Sequence, residues 1–398
     1  MKKNIIPIEN KKAEVVEVRY LEEDQQLESV NHDPLQSITI PEDFKFNWVS
    51  KDTYFTLSPT QLEKLKTVSE KIFKLVNETL LEVIQQKEVE PWMNSRYGAV
   101  KSLWQNGNAG LSLMRIDFAW DQEGNLKVLE LNTSSQTGWV LNHLAEKAVQ
   151  AEKFGTPLAP PPFFYSKYML QKLGSKVAIF SPPDYNKDLS TKELNLVAQQ
   201  IEACGGQCKL FCLSETSLTE IINFAPTGLF WRCDSLVGDA ELVLKLSKLG
   251  LPQLPSFEAL FIAGDKSFLN TLKAKCNTDL IPLTYVLSKD DLAHNLSLLA
   301  KDKAVLKPGD FGNGEGIFFG KNFTESAWRE KVKEAMKSPQ SWVIQERCYL
   351  RTTPDSRYED ISVYVADGVV QGFLSRISAQ EIVNISNGGF FQPTVLVG

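Results

Sequence analysis

The residues best suited to chemistry in this chain lie in one segment, LMRIDFAWDQEGNLKVLELNTSS, residues 113–135. Apolar and polar residues alternate on both sides of DQEGN, the pattern of a β-hairpin around a tight turn. With the turn centred between Glu123 and Gly124, Asp117 lies opposite Glu130 and Arg115 lies opposite Asn132. Period two then puts all four side chains on one face. Opposed Cβ atoms stand about 4.5–5.5 Å apart, so two carboxylates are pressed together. A sheet tolerates such a pair when a proton or a cation neutralises it. Asn132 adds an amide oxygen, and this donor set suits Mg²⁺, a hard cation that keeps phosphate ligands. The alternative is a solvated face whose acids pair with lysines elsewhere. A register slip of one residue would also separate the pair.

A second segment, AVLKPGDFGNGEGIFFG (304–320), reads as a strand ending at Lys307, a loop carrying Gly309, Gly312, Gly314 and Gly316, and another strand. Glycines let backbone N–H groups approach a phosphate, and Lys307 adds a cation beside them. The spacing is neither that of a Walker loop nor that of a dinucleotide fingerprint. It suits a flap over a nucleotide, with an ordinary hairpin loop as the alternative. Lys266 in AGDKSFLN opens a helix and is a second candidate phosphate cation. In WVIQERCYL an apolar strand ends at Gln345 and Glu346, which can face an adenine edge. Arg376 in GFLSRIS adds a further cation, and Gly388-Gly389 a flexible turn.

These segments need elements to carry them, and the chain has ample material. Its 398 residues predict two or three domains, and a composition 43% hydrophobic and 23% charged argues against disorder. Forty-three basic against 49 acidic residues give a net charge of −6, with no basic field for nucleic acid or anionic lipid. No apolar run reaches membrane-spanning length, and MKKNIIPIENKK lacks the apolar core of a signal peptide. The three histidines (His32, His143 and His294) stand in no triad-like context. Cys204, Cys208 and Cys212 recur every four residues without a completing His or CxxC, so they read as free thiols of a reducing cytoplasm, the latter two on one buried strand face.

Residues 1 to about 50 are polar and motif-poor. Leu62, Leu65, Val68, Ile72, Val76 and Leu80 predict a packing helix from Ser58 to about Gln86. Val140 to about Phe154 reads as helix, and Pro157–Pro162 as a linker. VAIFS, ELNLVAQQIEAC and CKLFCLS form a strand–helix–strand unit beginning at Lys176, with GLFWRCDS as a further strand. Phe257 to about Lys275 reads as one helix, LIPLTYVL as a strand and KDDLAHNLSLLA as a helix. The remaining stretch is strand-rich, ending in a hairpin turned by Asp367-Gly368.

Taken together, R-x-D…E-x-N at 115–132, GDKSFL at 264–269, the glycine loop after Lys307 and the strand ending at Gln345-Glu346 resemble the ATP-grasp enzymes. The order, metal strands before flap and hinge, resembles the circularly permuted group that includes glutathionylspermidine synthase. The likeness covers about residues 95–398, including WRCDS at 231–235, and lacks that enzyme's amidase-like partner domain. It implies an α+β, circularly permuted ATP-grasp fold of two α+β lobes with a Rossmann-like pre-ATP-grasp unit. Residues 1–95 would be an N-terminal segment with a packing helix, and 96–162 a metal-binding hairpin and helix completing the lobe. Residues 163–255 would be the Rossmann-like unit, and 256–398 the lobe with flap and hinge.

The implied cofactors are ATP and Mg²⁺. Asp117, Glu130 and Asn132 resemble the metal ligands. Arg115 resembles the arginine that steadies the transferring phosphoryl group, with Arg376 as a further phosphate or acyl-phosphate contact. Lys266 and Lys307 resemble the ATP-phosphate lysines, Gly312, Gly314 and Gly316 the flap, and Gln345 and Glu346 the adenine hinge. The implied activity is an ATP-dependent carboxylate–amine ligase working through an acyl-phosphate in the cytoplasm. Its partners are a small-molecule or peptide carboxylate and an amine, with neither nucleic acid nor membrane. A small-molecule kinase and a non-catalytic nucleotide-binding protein are the alternatives.

Overall fold

The computed structural model describes residues 48–85, 92–93, 103, 110–134, 136–181, 189–212, 216–232, 240–276, 278–310, 312 and 314–398. The expectations placed on residues 1–47, on Cys233 and on the last residues of WRCDS lie outside these. The fold is mixed α and β. Strands are numbered in chain order, and among the described residues they form four sheets. The largest runs β16 (Phe390–Gln392), β15 (Val369–Ser378), β14 (Tyr358–Ala366), β2 (Leu113–Trp120), β3 (Leu126–Asn132), with β13 (Arg351–Thr352) beside β14. A four-stranded antiparallel sheet runs β11 (Phe318–Phe319), β10 (Ala304–Pro308), β12 (Trp342–Glu346), β9 (Thr284–Val286). A parallel sheet runs β6 (Gln207–Cys212), β5 (Lys176–Ser181), β7 (Gly228–Trp231), β8 (Gln253–Leu254). A small sheet joins β1 (Phe55–Leu57), β17 (Thr394–Leu396) and β4 (Thr156–Pro157).

Helix α1 (Pro59–Gln85) starts on a reciprocal cap: the Ser58 hydroxyl accepts from the Gln61 N–H, and the Gln61 side chain accepts from the Ser58 N–H. Its apolar stripe of Leu62, Leu65, Ile72, Val76 and Leu80 is buried in the same core as Ile116, Phe118, Ile361, Val363 and Val365 of the largest sheet. Period two in β2 and β14 therefore sends Arg115, Asp117, Asp360 and Ser362 to the opposite face. That is the link from helix packing to the site.

The long helix expected over Phe257–Lys275 is broken. A π-helical stretch, Ala259–Ala263, precedes the α-helix Phe268–Lys275. Between them the Asp265 carboxylate accepts the Ser267 N–H, and the Lys266 N–H turns outward to the Gly309 carbonyl at the end of β10. The strand LIPLTYVL shortens to Thr284–Val286, because Pro282 has no N–H and the Leu280 carbonyl is spent on Val128. Val140–Phe154 divides at Gln150, which adopts a left-handed conformation (φ 52°) between the Leu141–Val149 helix and a 3₁₀ turn. Cys208 and Cys212 are half-buried rather than buried; Phe211, on the other face of β6, enters the core. No described helix is long and apolar enough to cross a membrane.

One carboxyl far from the cleft makes a pH prediction. Glu146, buried on the Leu141–Val149 helix, accepts the Ala159 N–H at 2.8 Å. Burial pushes it up to about 8, against the pull of the Ala159 and Leu158 N–H groups and with a small push from Glu152. A carboxyl raised on folding stabilises the protein fully below its unfolded value and loses that contribution as pH climbs through the folded one. Calorimetry should therefore show about 2–3 kcal/mol less stability at pH 9 than at pH 6 from this group. Glu146→Gln should flatten that slope, and a slope unchanged by the substitution would reject the assignment.

Candidate active site

The hairpin of β2 and β3 pairs Arg115 with Asn132 and Asp117 with Glu130. It does so by a different route from simple turn counting. Nearer the turn the partners are Phe118 with Val128 and Trp120 with Leu126, and a β-bulge between the Asp117 and Phe118 pairs inserts Leu129 as an extra residue. The bulge keeps Leu131 on the core side with Ile116 while bringing Glu130 to face the cleft with Asp117. The sequence carries its trace: apolar core residues step from Val128 to Leu131, three places instead of two.

Asp117, Glu130, Lys307, Gly314, Glu346 and Arg376 line a single cleft between the largest sheet and the flap-bearing one. Leu129, Val305, Ile317, Phe319 and Leu350 supply its apolar wall. Arg115 holds Asp117 with two bonds, Nε to Oδ1 at 2.8 Å and Nη2 to Oδ2 at 2.9 Å, while its Nη1 donates to the Thr137 carbonyl at 3.1 Å. The Tyr364 hydroxyl donates to the same carbonyl. Gly138 follows with φ +109°, and a Cβ there would stand 2.0 Å from that hydroxyl, so only glycine lets the loop pass. Arg232 of the WRCDS segment donates to the Thr137 hydroxyl at 2.8 Å.

The two lysines converge on this hairpin. The Lys266 Nζ is 3.6 Å from Glu130 Oε1. The Lys307 Nζ donates to Gln345 Oε1 at 2.5 Å, and Gln345 Nε2 donates in turn to the Thr284 hydroxyl. Gln345 is buried, lies opposite the cleft-lining Val305 on the same sheet face, and holds Lys307. Burial lowers the Lys307 ammonium, partly offset by Cys348 and Glu130. Glu346 reaches the cleft, with one carboxylate oxygen on Lys127 (2.6 Å) and the other on the Leu283 N–H (3.1 Å). In the flap, Gly314 (φ +71°) packs against Ile382 and Asn387 of the segment after β15, and Gly316 packs against Pro308 and Trp342. Gly312 accepts the Glu315 N–H.

Sequence reasoning missed Asp360. It lies opposite Arg376 in the β14–β15 ladder, beyond a second bulge between Tyr364 and Val365. Arg376 Nε donates to Asp360 Oδ1 (3.1 Å), and its Nη2 bridges Asp360 Oδ2 (2.5 Å) and Asp117 Oδ2 (2.9 Å). Two carboxylates and two guanidiniums thus alternate in one buried cluster. Burial would raise Asp117, but Arg115 and Arg376, with the Ser362 hydroxyl, hold it down at about 2. For Asp360 burial wins over Arg376, raising it to about 6. The available signal is in YEDISVYVA, where Asp360 alternates with Ile361, Val363 and Val365 and so shares the polar face of Ser362.

A divalent cation fits the donor chemistry, and Asp117 sets the condition. Its oxygens accept two bonds from Arg115 and one each from Arg376, Ser362 and Asn132 (3.2 Å), which exceeds the roughly four lone-pair sites of a carboxylate. By that count at least two of these bonds must be given up before a metal binds. Glu130 already faces the cleft, and Asn132 turns its Nδ2 to Asp117, so its Oδ1 is the atom a cation would take. Among the described residues no group of three or more His, Cys, Asp or Glu side chains can hold a metal ion. An ion here therefore also needs the amide and outside oxygens such as those of phosphate.

No protein-family model and no curated protein matches this chain. Solved structures do. A glutathione synthetase-like effector from Globodera pallida aligns at TM-score 0.53 and 12% identity over 87% of this chain and 89% of its own. A putative gamma-glutamylcysteine synthetase from Methylobacillus flagellatus aligns at 0.45 and 14% identity, covering 83% and 86% of the two chains. A D-cycloserine synthetase aligns at 0.40 and 14%, covering 55% and 75%. At that identity and coverage the first likeness is one of architecture: the chain has the fold of the glutathione synthetase-like effector.

Proposed function

We propose that the chain is an ATP-dependent carboxylate–amine ligase of the ATP-grasp kind, with the circularly permuted order of the glutathionylspermidine synthase group, acting in the cytoplasm. The observation that carries this is the convergence on one cleft of Asp117, Glu130, Lys307, Glu346 and Arg376, drawn from segments up to 259 residues apart. The apolar wall from Leu129 to Leu350 suits a planar base, and the charged end suits a triphosphate.

In this reading the substrate carboxylate attacks the γ-phosphate of ATP, giving an acyl-phosphate and ADP. An amine then displaces phosphate and forms the amide. Lys266 and Lys307 hold the phosphates, while Arg115 and Arg376 balance charge that grows on the transferring oxygens. Glu130, Asn132 and Asp117 would hold Mg²⁺, which supplies further neutralisation of the phosphate oxygens. None of these roles needs an enzymic nucleophile; the work is positioning and electrostatics. The four-part division at residues 95, 162 and 255 belongs to the same proposal.

The test is a thermal-shift titration with Mg-ATP, followed by ADP release measured with pooled acids and amines. Mg-ATP should raise the melting temperature, and ADP release over many turnovers should require both an acid and an amine. Sustained ADP release without any amine would turn the reading to a kinase, and no shift at millimolar Mg-ATP would reject nucleotide use.

A further inference from the structure

Arg376 occupies an unusual position between two carboxylates. Its Nη2 is shared by Asp117 and Asp360, while its Nε is committed to Asp360 alone. Asp117, in contrast, has more donors than it can keep once a cation arrives. Its Arg115 bonds are paired and geometrically matched, two parallel contacts from one fork. The Ser362 hydroxyl comes from the neighbouring strand of the same ladder, opposite Asp117 itself. The Arg376 contact is a single bond, and Arg376 is the donor that already has a second acceptor in hand. Of the two charged donors it is the one whose departure leaves no buried charge unpaired; the neutral Asn132 amide, at 3.2 Å, is the other contact easily given up.

We propose that Asp360 is a positioning residue that keeps Arg376 in the cleft when Asp117 exchanges that arginine for a divalent cation. The inference rests on the metal-dependent reading above. Asp360 and Arg376 both line the cleft, so the arginine stays beside the phosphates without withdrawing the Asp117 oxygen that a cation needs. Without Asp360 the only carboxylate bonded to Arg376 would be Asp117, and cation and guanidinium would compete for one oxygen. The bulge between Tyr364 and Val365 is what sets Asp360, rather than Glu359, opposite Arg376. Glu359 instead pairs with Arg351 and Gln392.

Mn²⁺ binding followed by electron paramagnetic resonance, in the presence of a non-hydrolysable ATP analogue, tests this. Asp360→Asn should weaken Mn²⁺ binding roughly tenfold or more, as losses of outer-shell partners do. Arg376→Gln, which removes the competitor, should restore most of that loss when combined with Asp360→Asn. An equal loss in both backgrounds would show a field effect of the missing charge and overturn the proposal, as would unchanged Mn²⁺ affinity in Asp360→Asn. Wild-type protein that binds no Mn²⁺ would instead overturn the metal reading itself. A crystal structure of the wild-type chain with Mn²⁺ and the analogue gives an answer free of any folding defect. Arg376 should rest on Asp360 with Asp117 on the metal, and Arg376 still on Asp117 would refute it.

Discussion

Glu130→Gln should lower turnover by about a thousandfold, roughly 4 kcal/mol of transition-state stabilisation, with little change in melting temperature. The side chain is 30% exposed and faces the cleft, so solvent screens the loss of its charge; its ion-pair partner Lys266 is buried but stands 3.6 Å away and makes a further interaction of its own. Asp117→Asn should behave differently. Asp117 is 2% exposed, and the guanidiniums of Arg115 and Arg376 both lean on it. Removing its charge leaves two buried cations facing Asp360 alone. Breaking a buried pair in this way costs about 3–5 kcal/mol, so this variant should lose stability as well as activity. From the sequence alone the two substitutions look equivalent, both costing activity and sparing the fold. Paired ADP-release and calorimetric measurements would distinguish them. An active Glu130→Gln would remove the metal assignment, and a fully stable Asp117→Asn would contradict the alternating charge cluster.

Lys307→Met should separate binding from stability in the opposite sense. The Lys307 ammonium is 8% exposed, its bonded partner is the neutral Gln345 amide, and burial holds its affinity for a proton down. A buried cation with a neutral partner is an unfavourable arrangement until an anion arrives. Methionine matches its length and brings no charge, so the free protein should be as stable as the wild type or more so. ATP binding should weaken by about 2–4 kcal/mol, roughly 30- to 1,000-fold in Kd, because a charge-assisted contact is lost in a poorly solvated place. Calorimetric titration with an ATP analogue reads the affinity and differential scanning the stability. Wild-type affinity in Lys307→Met would take this lysine out of the phosphate site, together with the flap reading that depends on it.

Much of the site's local geometry is legible in residue order. Alternation in β2 and β3 puts Arg115 and Asp117 on one face, and the apolar stripe of α1 dictates which face is buried. The Asp117–Glu130 opposition was reached by placing the turn half a residue too late, an error that the Leu129 bulge cancels. No such cancellation helped in the second hairpin. Counting from Asp367-Gly368 sets Arg376 against Glu359, and the bulge moves it to Asp360. Gln345 also bonds Lys307, a contact the order of residues does not foretell, because the antiparallel pairing of β10 with β12 puts both side chains on one face.

What the sequence determined by itself is periodicity: which residues share a strand face, where turns fall, where helices can begin. Those properties are local, set by backbone geometry and by turn residues such as Asp367-Gly368. What only the tertiary structure decided is adjacency. Arg376 reaches Asp117 across 259 positions because β14 pairs with β2, and β14 sits there because its other face is needed against α1. A pattern of alternating residues says that a strand has two faces. It carries no information about which strand will lie beside it, since backbone hydrogen bonds are the same for every neighbour and the choice is made by burial of side chains far apart in the chain.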